Sequence, residues 1–262
     1  MGYENLFDQL WEDYIGITPS AARIQRVFAG DVVVNDHIAL RTFDLEKVNL
    51  EKLAGHFKAY GYEEMGTYRF EEKKLNAKHF AHPDQNAPKV FISELSLSEC
   101  SDFVRTTVES KLAKVDEGVA ADPGFLFSGR HWDISFAEYQ ELIKESEYAA
   151  WTLAWGYHAN HFTVDVNALK NFSDLESVNS KLKEEGFTLN TVGGEIKGTP
   201  ESLLEQSSTV ADIYELEFSD GLYEIPSCFY EFAFRHRLEN GELFQGFVTQ
   251  NADKIFESTN AR

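Results

Sequence analysis

Apolar positions along the chain follow two periods. Between residues 3 and 30 they recur at helical spacing. Leu6, Leu10, Trp11 and Tyr14 mark one helix, and Ala22, Ile24 and Val27 mark a second that starts at Thr18-Pro19-Ser20, a cap followed by proline in the first turn, and stops before Gly30. From residue 35 the period becomes two, as on a strand, where neighbouring side chains point to opposite faces. Asn35-Asp36-His37-Ile38-Ala39-Leu40-Arg41 puts His37, Ala39 and Arg41 on one face and Ile38 and Leu40 on the other. Ala159-Asn160-His161-Phe162-Thr163-Val164-Asp165 puts His161, Thr163 and Asp165 opposite Phe162, Val164 and Val166. Near the end, Phe229, Glu231, Ala233 and Arg235 share a face opposite Cys228, Tyr230, Phe232 and Phe234.

These strands belong to a faint internal repeat. The strand carrying His37 is followed by a helical segment, residues 45–60, which stops at Gly61-Tyr62. The strand carrying His161 is followed by another, residues 175–185, which stops at Gly186-Phe187. The histidine-to-glycine spacing is 61 − 37 = 24 in one copy and 186 − 161 = 25 in the other. Each copy later has a strand carrying a glutamate, Glu94 in the first and Glu231 in the second. The unit is β-α-β-β-β used twice, an α+β fold. No Pro/Gly/Ser linker divides it, so one domain is expected over residues 1–262: a helical start over 1–30, a first module over about 31–96, a mainly helical insertion over about 97–157 with Phe136–Ile143 as its clearest piece, and a second module over about 158–250. A further insertion, Gly193 to Asp212, holds a predicted helix start at Thr199-Pro200-Glu201.

Composition narrows the function. The 262 residues carry 24 Lys+Arg against 44 Asp+Glu, a formal net charge of −20, which disfavours nucleic acid and anionic membrane as partners. At 43% apolar and 14% aromatic the chain is not disordered. No stretch approaches the length of a membrane span, and the acidic start lacks the basic region and apolar run of a signal peptide. Cys100 and Cys228 make no disulfide framework, so a soluble cytoplasmic protein is the expectation. There is no phosphate-binding glycine loop and no G-x-S-x-G elbow. The oligomeric state is not legible.

Candidate chemistry lies on the polar strand faces, which either meet water or line a site. Phe229 and Ala233 flank Glu231 on its own face, suggesting a buried carboxylate that needs a cation. A metal held by histidines is one such cation; a salt bridge to Arg235 or Arg41 is the other reading. Glu94 holds the matching place in the first copy, as a fourth ligand or in a structural role. His158 reads as lying near the start of a strand, His131 as part of a lid or pocket wall, His79 and His82 as exposed, His56 as on a helix surface, and His236 as facing away from Glu231. Arg235 could contact substrate or pair with a neighbouring acid, and Gln206, Ser207 and Ser208 could add polar groups to a pocket.

The paired unit, with histidine on the first strand of each copy and glutamate on the last, resembles the vicinal oxygen chelate superfold, which is glyoxalase-like. More closely, residues 36–41, Asn160-His161-Phe162-Thr163, and residues 225–232 resemble the 2-oxoadipate dioxygenase/decarboxylase family over about residues 5–250. The resemblance implies a curved sheet built from the two modules and a mononuclear Fe(2+) enzyme consuming O2 and a 2-oxo acid. It implies His37, His161 and Glu231 as metal ligands, and Arg41 as the anchor of a substrate carboxylate. Two imidazoles and a carboxylate suit non-haem iron(II) oxygenases, since they leave positions for a chelating 2-oxo acid and O2. With 2-oxoadipate the products would be 2-hydroxyglutarate and CO2. A glyoxalase-like Zn or Ni isomerase or lyase using Glu94, and a metal-free binding protein of the same superfold, stand as alternatives.

Overall fold

The computed structural model describes residues 2–259. Its α-helices, in chain order, are α1 (Tyr3–Ile17), α2 (Pro19–Val27), α3 (Leu50–Lys58), α4 (Asp102–Leu112), α5 (Phe136–Ile143), α6 (Glu147–Trp155), α7 (Leu175–Glu184) and α8 (Thr249–Phe256). Its strands are β1 (Asn35–Phe43), β2 (Glu63–Phe70), β3 (Leu75–Ala81), β4 (Lys89–Leu95), β5 (Ala159–Asp165), β6 (Leu204–Ser208), β7 (Ile213–Phe218), β8 (Gly221–Pro226) and β9 (Phe229–Arg235). The chain contributes three stretches to each of two units. One unit takes the stretch ending at Tyr14, Ala39–Asn160 and Ile213–Ile225; the other takes Ile15–Ile38, His161–Asp212 and the stretch from Pro226 onward.

In the first unit β2, β3 and β4 form an antiparallel meander, with Phe70 opposite Leu75 and Leu75 opposite Leu95. The second half of β1 lies beside β4, where the hydroxyl of Ser93 donates to the carbonyl of Leu40. Helix α3 starts at Asn49, whose side chain accepts from the backbone N of Lys52. The turn after it ends at Gly61, whose φ of +97° is open to glycine at no steric cost. Helix α6, apolar almost throughout, is buried from Tyr148 to Trp155, as a helix without a polar face must be. The hairpin β7–β8 packs on α5, with the rings of Phe136 and Tyr223 stacked at 3.9 Å.

The second unit repeats the plan. β5 and β9 run parallel, with His161 opposite Phe229 and Thr163 opposite Glu231. β6 joins β9 antiparallel, with Ser208 opposite Glu231. The first half of β1 lies beside β5, and the N of Asp165 donates to the carbonyl of Val34 just before that strand. Helix α7 is capped by Asp174 and followed by Gly186 at φ +84°. Helix α2 covers β9, with Phe28 edge-on to Phe232.

The alternating pattern of the first copy is present strand for strand. The second copy departs from it in two ways. The place of its second strand is reduced to isolated bridges, Leu189 with Thr209 and Lys197 with Gln206. The predicted helix after Thr199 is only a turn, Pro200–Ser202, closed by reciprocal bonds between Thr199 and Ser202, after which the chain extends into β6. The extra element is therefore not the whole of residues 193–212: β6 completes the sheet, and the added hairpin is β7–β8. Three histidines are less exposed than their local sequence predicts. His56 is buried and its ring bonds to the carbonyl of Ala120, and His79 is buried against the hydroxyl of Tyr68. Each sits where a tertiary neighbour, invisible in the local pattern, covers it. His82 is half-buried between Tyr3 and Tyr62.

Candidate metal centre

The polar faces of β1, β5 and β9 do not meet water. His37 is 2% exposed, His161 4% and Glu231 0%. Their positions follow from strand chemistry: apolar alternate residues such as Ile38, Phe162 and Phe232 are buried on the opposite face, and this fixes which face each histidine and the glutamate occupy. All three belong to the second unit. One donor atom from each comes within 4.8 Å of the other two, and this is the one such group of three or more among the described residues.

Nε2 of His161 lies 3.1 Å from Oε2 of Glu231, and Nε2 of His37 lies 3.7 Å from Oε1. Oε2 is buried without a hydrogen bond, so the approach to His161 is close but not aligned as N–H···O. Two ligand atoms each about 2.1 Å from one ion and at right angles to each other would stand about 3.0 Å apart, so this spacing fits a shared cation. Burial pushes the Glu231 carboxyl up, but the two imidazoles and a hydrogen bond from Gln206 outweigh it and hold the group below the usual range.

Neighbouring side chains fix this arrangement. Nδ1 of His37 bonds to Oδ1 of Asp36 at 2.7 Å, and Thr163 Oγ1 stands 3.1 Å from Nε2 of the same ring. The His161 ring stacks on Phe229, with centroids 4.7 Å apart. Gln206 on β6 donates from Nε2 to Oε1 of Glu231 at 2.5 Å, while its own Oε1 is buried without a hydrogen-bond partner. Of the three polar residues that the sequence offers for a pocket, Gln206 is the one that meets Glu231. The Leu204, Gln206, Ser208 alternation was the available signal, but a five-residue strand without β-branched residues gives little of it.

Arg235 does not pair with Glu231. Its guanidinium grips the carboxylate of Asp36 with Nε at 2.6 Å and Nη2 at 2.8 Å, the ion pair with a neighbouring acid that the sequence allowed. Burial alone would lower Arg235, but the Asp36 charge holds it above its ordinary value. Nothing in the local pattern marks Asp36, because adjacent residues on a strand point to opposite faces.

Other candidates fall elsewhere. Arg41, in the first unit, is buried, bonds to Glu147 at 3.0 Å, and lies over the rings of Tyr148 and Trp151. Glu94 is half-buried and accepts from the backbone N of Leu50, at the start of α3; burial raises its carboxyl. His158 pairs with Asp13, His236 with Glu205, and the exposed His131 with Ser128. Ser207 and Ser208 bond to Asn179 and Ser258 rather than to the three-residue group. No helix of the described residues is long and apolar enough to cross a membrane.

Comparison with known proteins adds an independent finding. Residues 14–121 and 125–244 match the sequence family described as 2-oxoadipate dioxygenase/decarboxylase. A protein of Arabidopsis thaliana named 2-oxoadipate dioxygenase/decarboxylase, chloroplastic, is 35% identical over 98% of this chain and 77% of its own length. The crystal structure of hydroxyglutarate synthase from Oryza sativa in complex with 2-oxoadipate superposes with a TM-score of 0.90 at 33% identity, covering 98% of this chain and 91% of that one. A crystal structure from Shewanella frigidimarina, described as a candidate hydrolase, gives a TM-score of 0.91 at 55% identity, covering 94% of this chain and 97% of that one.

Proposed function

The chain belongs to the 2-oxoadipate dioxygenase/decarboxylase family, an oxidatively decarboxylating class of enzyme, and we propose that it works with one iron(II) ion held by His37, His161 and Glu231 on a 2-oxo acid resembling 2-oxoadipate. The observation that carries this reading is a fully buried carboxylate set between two imidazole Nε2 atoms, with a spacing suited to a common cation. Two nitrogens and one oxygen donor suit iron(II) and leave positions beyond the protein's three. When bound there, the metal supplies O2 activation next to a chelated 2-oxo acid.

The protein's own groups do the rest. Glu231 brings one negative charge, so the metal retains positive charge to attract an anionic substrate. Phe229 and Phe247, packed against the two histidine rings, keep that face apolar. Arg41, four residues beyond His37 on β1, is the candidate for holding the substrate's far carboxylate. The rings of Tyr148 and Trp151 keep the planar guanidinium in place, and substrate would compete with Glu147 for it. The overall reaction balances as 2-oxoadipate plus O2 giving 2-hydroxyglutarate plus CO2, with one oxygen atom entering the new carboxylate and the other the hydroxyl.

A four-ligand Zn or Ni centre of the glyoxalase kind would draw on Glu94, whose carboxylate is instead occupied at the start of α3. The test is metal content after anaerobic purification, followed by O2 uptake with 2-oxo acids differing in chain length and terminal carboxylate. The expected result is stoichiometric iron and uptake that is greatest with a dicarboxylic 2-oxo acid. Zn or Ni with no O2 uptake would overturn the proposal.

A further inference from the structure

We propose that Asp36 and Arg235 are a positioning pair that sets the tautomer of His37 for metal binding; this rests on His37 being a metal ligand. An ionised carboxylate only accepts hydrogen bonds, so the 2.7 Å contact between Oδ1 of Asp36 and Nδ1 of His37 places the ring proton on Nδ1. The lone pair is then on Nε2, the atom that faces Oε1 of Glu231 at 3.7 Å and the hydroxyl of Thr163 at 3.1 Å. The other tautomer would point an N–H at the ligand position.

Arg235 keeps Asp36 in that role. Both guanidinium contacts to the carboxylate are direct, one to each oxygen, and the pair is 2% exposed on either side. The third nitrogen, Nη1, donates to the carbonyls of Phe244 at 3.0 Å and Gly246 at 2.8 Å. The next residue, Phe247, lies edge-on to His37 with centroids 4.8 Å apart, and Arg235 stands over its ring at 5.3 Å. One side chain therefore fixes both the acceptor on one edge of His37 and the aromatic residue against its face. A planar fork can make these four bonds together; an ammonium cannot.

Asp36→Asn tests the pair. Asparagine has one acceptor oxygen, and the charged guanidinium outcompetes a neutral imidazole for it. The amide NH2 then meets Nδ1, and the ring must move its proton to Nε2, as happens when the acid of a catalytic triad is replaced by its amide. Long-range 1H–15N correlation spectra of metal-free, 15N-histidine-labelled protein read the tautomer directly, with His37→Gln identifying the resonances. We expect Nδ1–H in the wild type and Nε2–H in Asp36→Asn, and Co(II) affinity in the folded variant lower by about 10–100-fold. Nε2–H in the wild type would overturn the proposal whether or not the variant folds, and so would a folded variant with wild-type tautomer and affinity. Failure of the wild type itself to bind Co(II) would instead overturn the metal reading on which the pair's purpose rests.

Discussion

Nε2 of Gln206 donates to Oε1 of Glu231 across 2.5 Å, so the edge strand β6 holds the carboxylate that β9 presents. Gln206→Leu removes this donor and leaves a buried anionic oxygen unserved. The expected result is Co(II) binding weakened about tenfold, in line with the loss of other groups that orient metal ligands. Anaerobic titration followed by the metal's visible absorption checks it, and unchanged affinity in a folded variant would show that Glu231 needs no such support.

Glu94 and Glu231 occupy matching strands of the two copies but have different surroundings. Glu94→Ala should keep the metal and measurable turnover while losing about 1 kcal/mol of stability with its bond to the first turn of α3. Glu231→Ala should lose most metal and activity. Metal analysis of the two variants side by side decides, and loss of metal from a well-folded Glu94→Ala protein would add a fourth ligand.

Arg41→Lys should keep the metal but weaken substrate binding by about 2 kcal/mol, roughly thirtyfold, since an ammonium cannot form a bidentate pair with the far carboxylate. Titrating a dicarboxylic 2-oxo acid into the iron-loaded, oxygen-free variant measures this. If Arg41 serves only its bond to Glu147, the variant will melt earlier while substrate affinity stays normal.

Lys197 is 1% exposed, and burial depresses its ammonium to about 8. Its Nζ donates to the carbonyl of Asn190 at 2.5 Å. The folded protein therefore gives up this proton near pH 8, while the unfolded chain keeps it to about 10.4. Between those values the unfolded state binds more protons, so this group's contribution to stability rises with pH, by about 3 kcal/mol in total. Chemical denaturation of wild type and Lys197→Met from pH 7 to 10.5 should show this slope in their difference. A difference independent of pH would mean that the lysine folds with its ordinary proton affinity.

The parts of the site legible in the sequence are those written in local alternation. His37, His161 and Glu231 each lie on a strand whose other face is apolar, and the glycines after α3 and α7 mark the repeat. The parts that were not legible depend on pairing between distant segments. The polar run Gln206, Ser207 and Ser208 carries no strand signal of its own, yet β9 beside it, Asn179 and Ser258 satisfy it as β6. Alternation turns Asp36 away from His37, whereas its short side chain bends back to the neighbouring ring and meets Arg235, 199 residues later. His56 is covered by Ala120, 64 residues along the chain, and His79 by Tyr68 across a strand pair, a pairing that hydropathy does not report.

The order of the three donor residues along the chain also matters during synthesis. His37 and His161 leave the ribosome well before Glu231, which follows the first histidine by 231 − 37 = 194 residues. At about 5–20 residues per second that interval is roughly 10–40 s. Through it the nascent chain offers imidazoles with no carboxylate to complete the set, and bare imidazoles favour copper and nickel over iron. Binding by all three donors therefore waits until Glu231 has been made and β9 has taken its place beside β5.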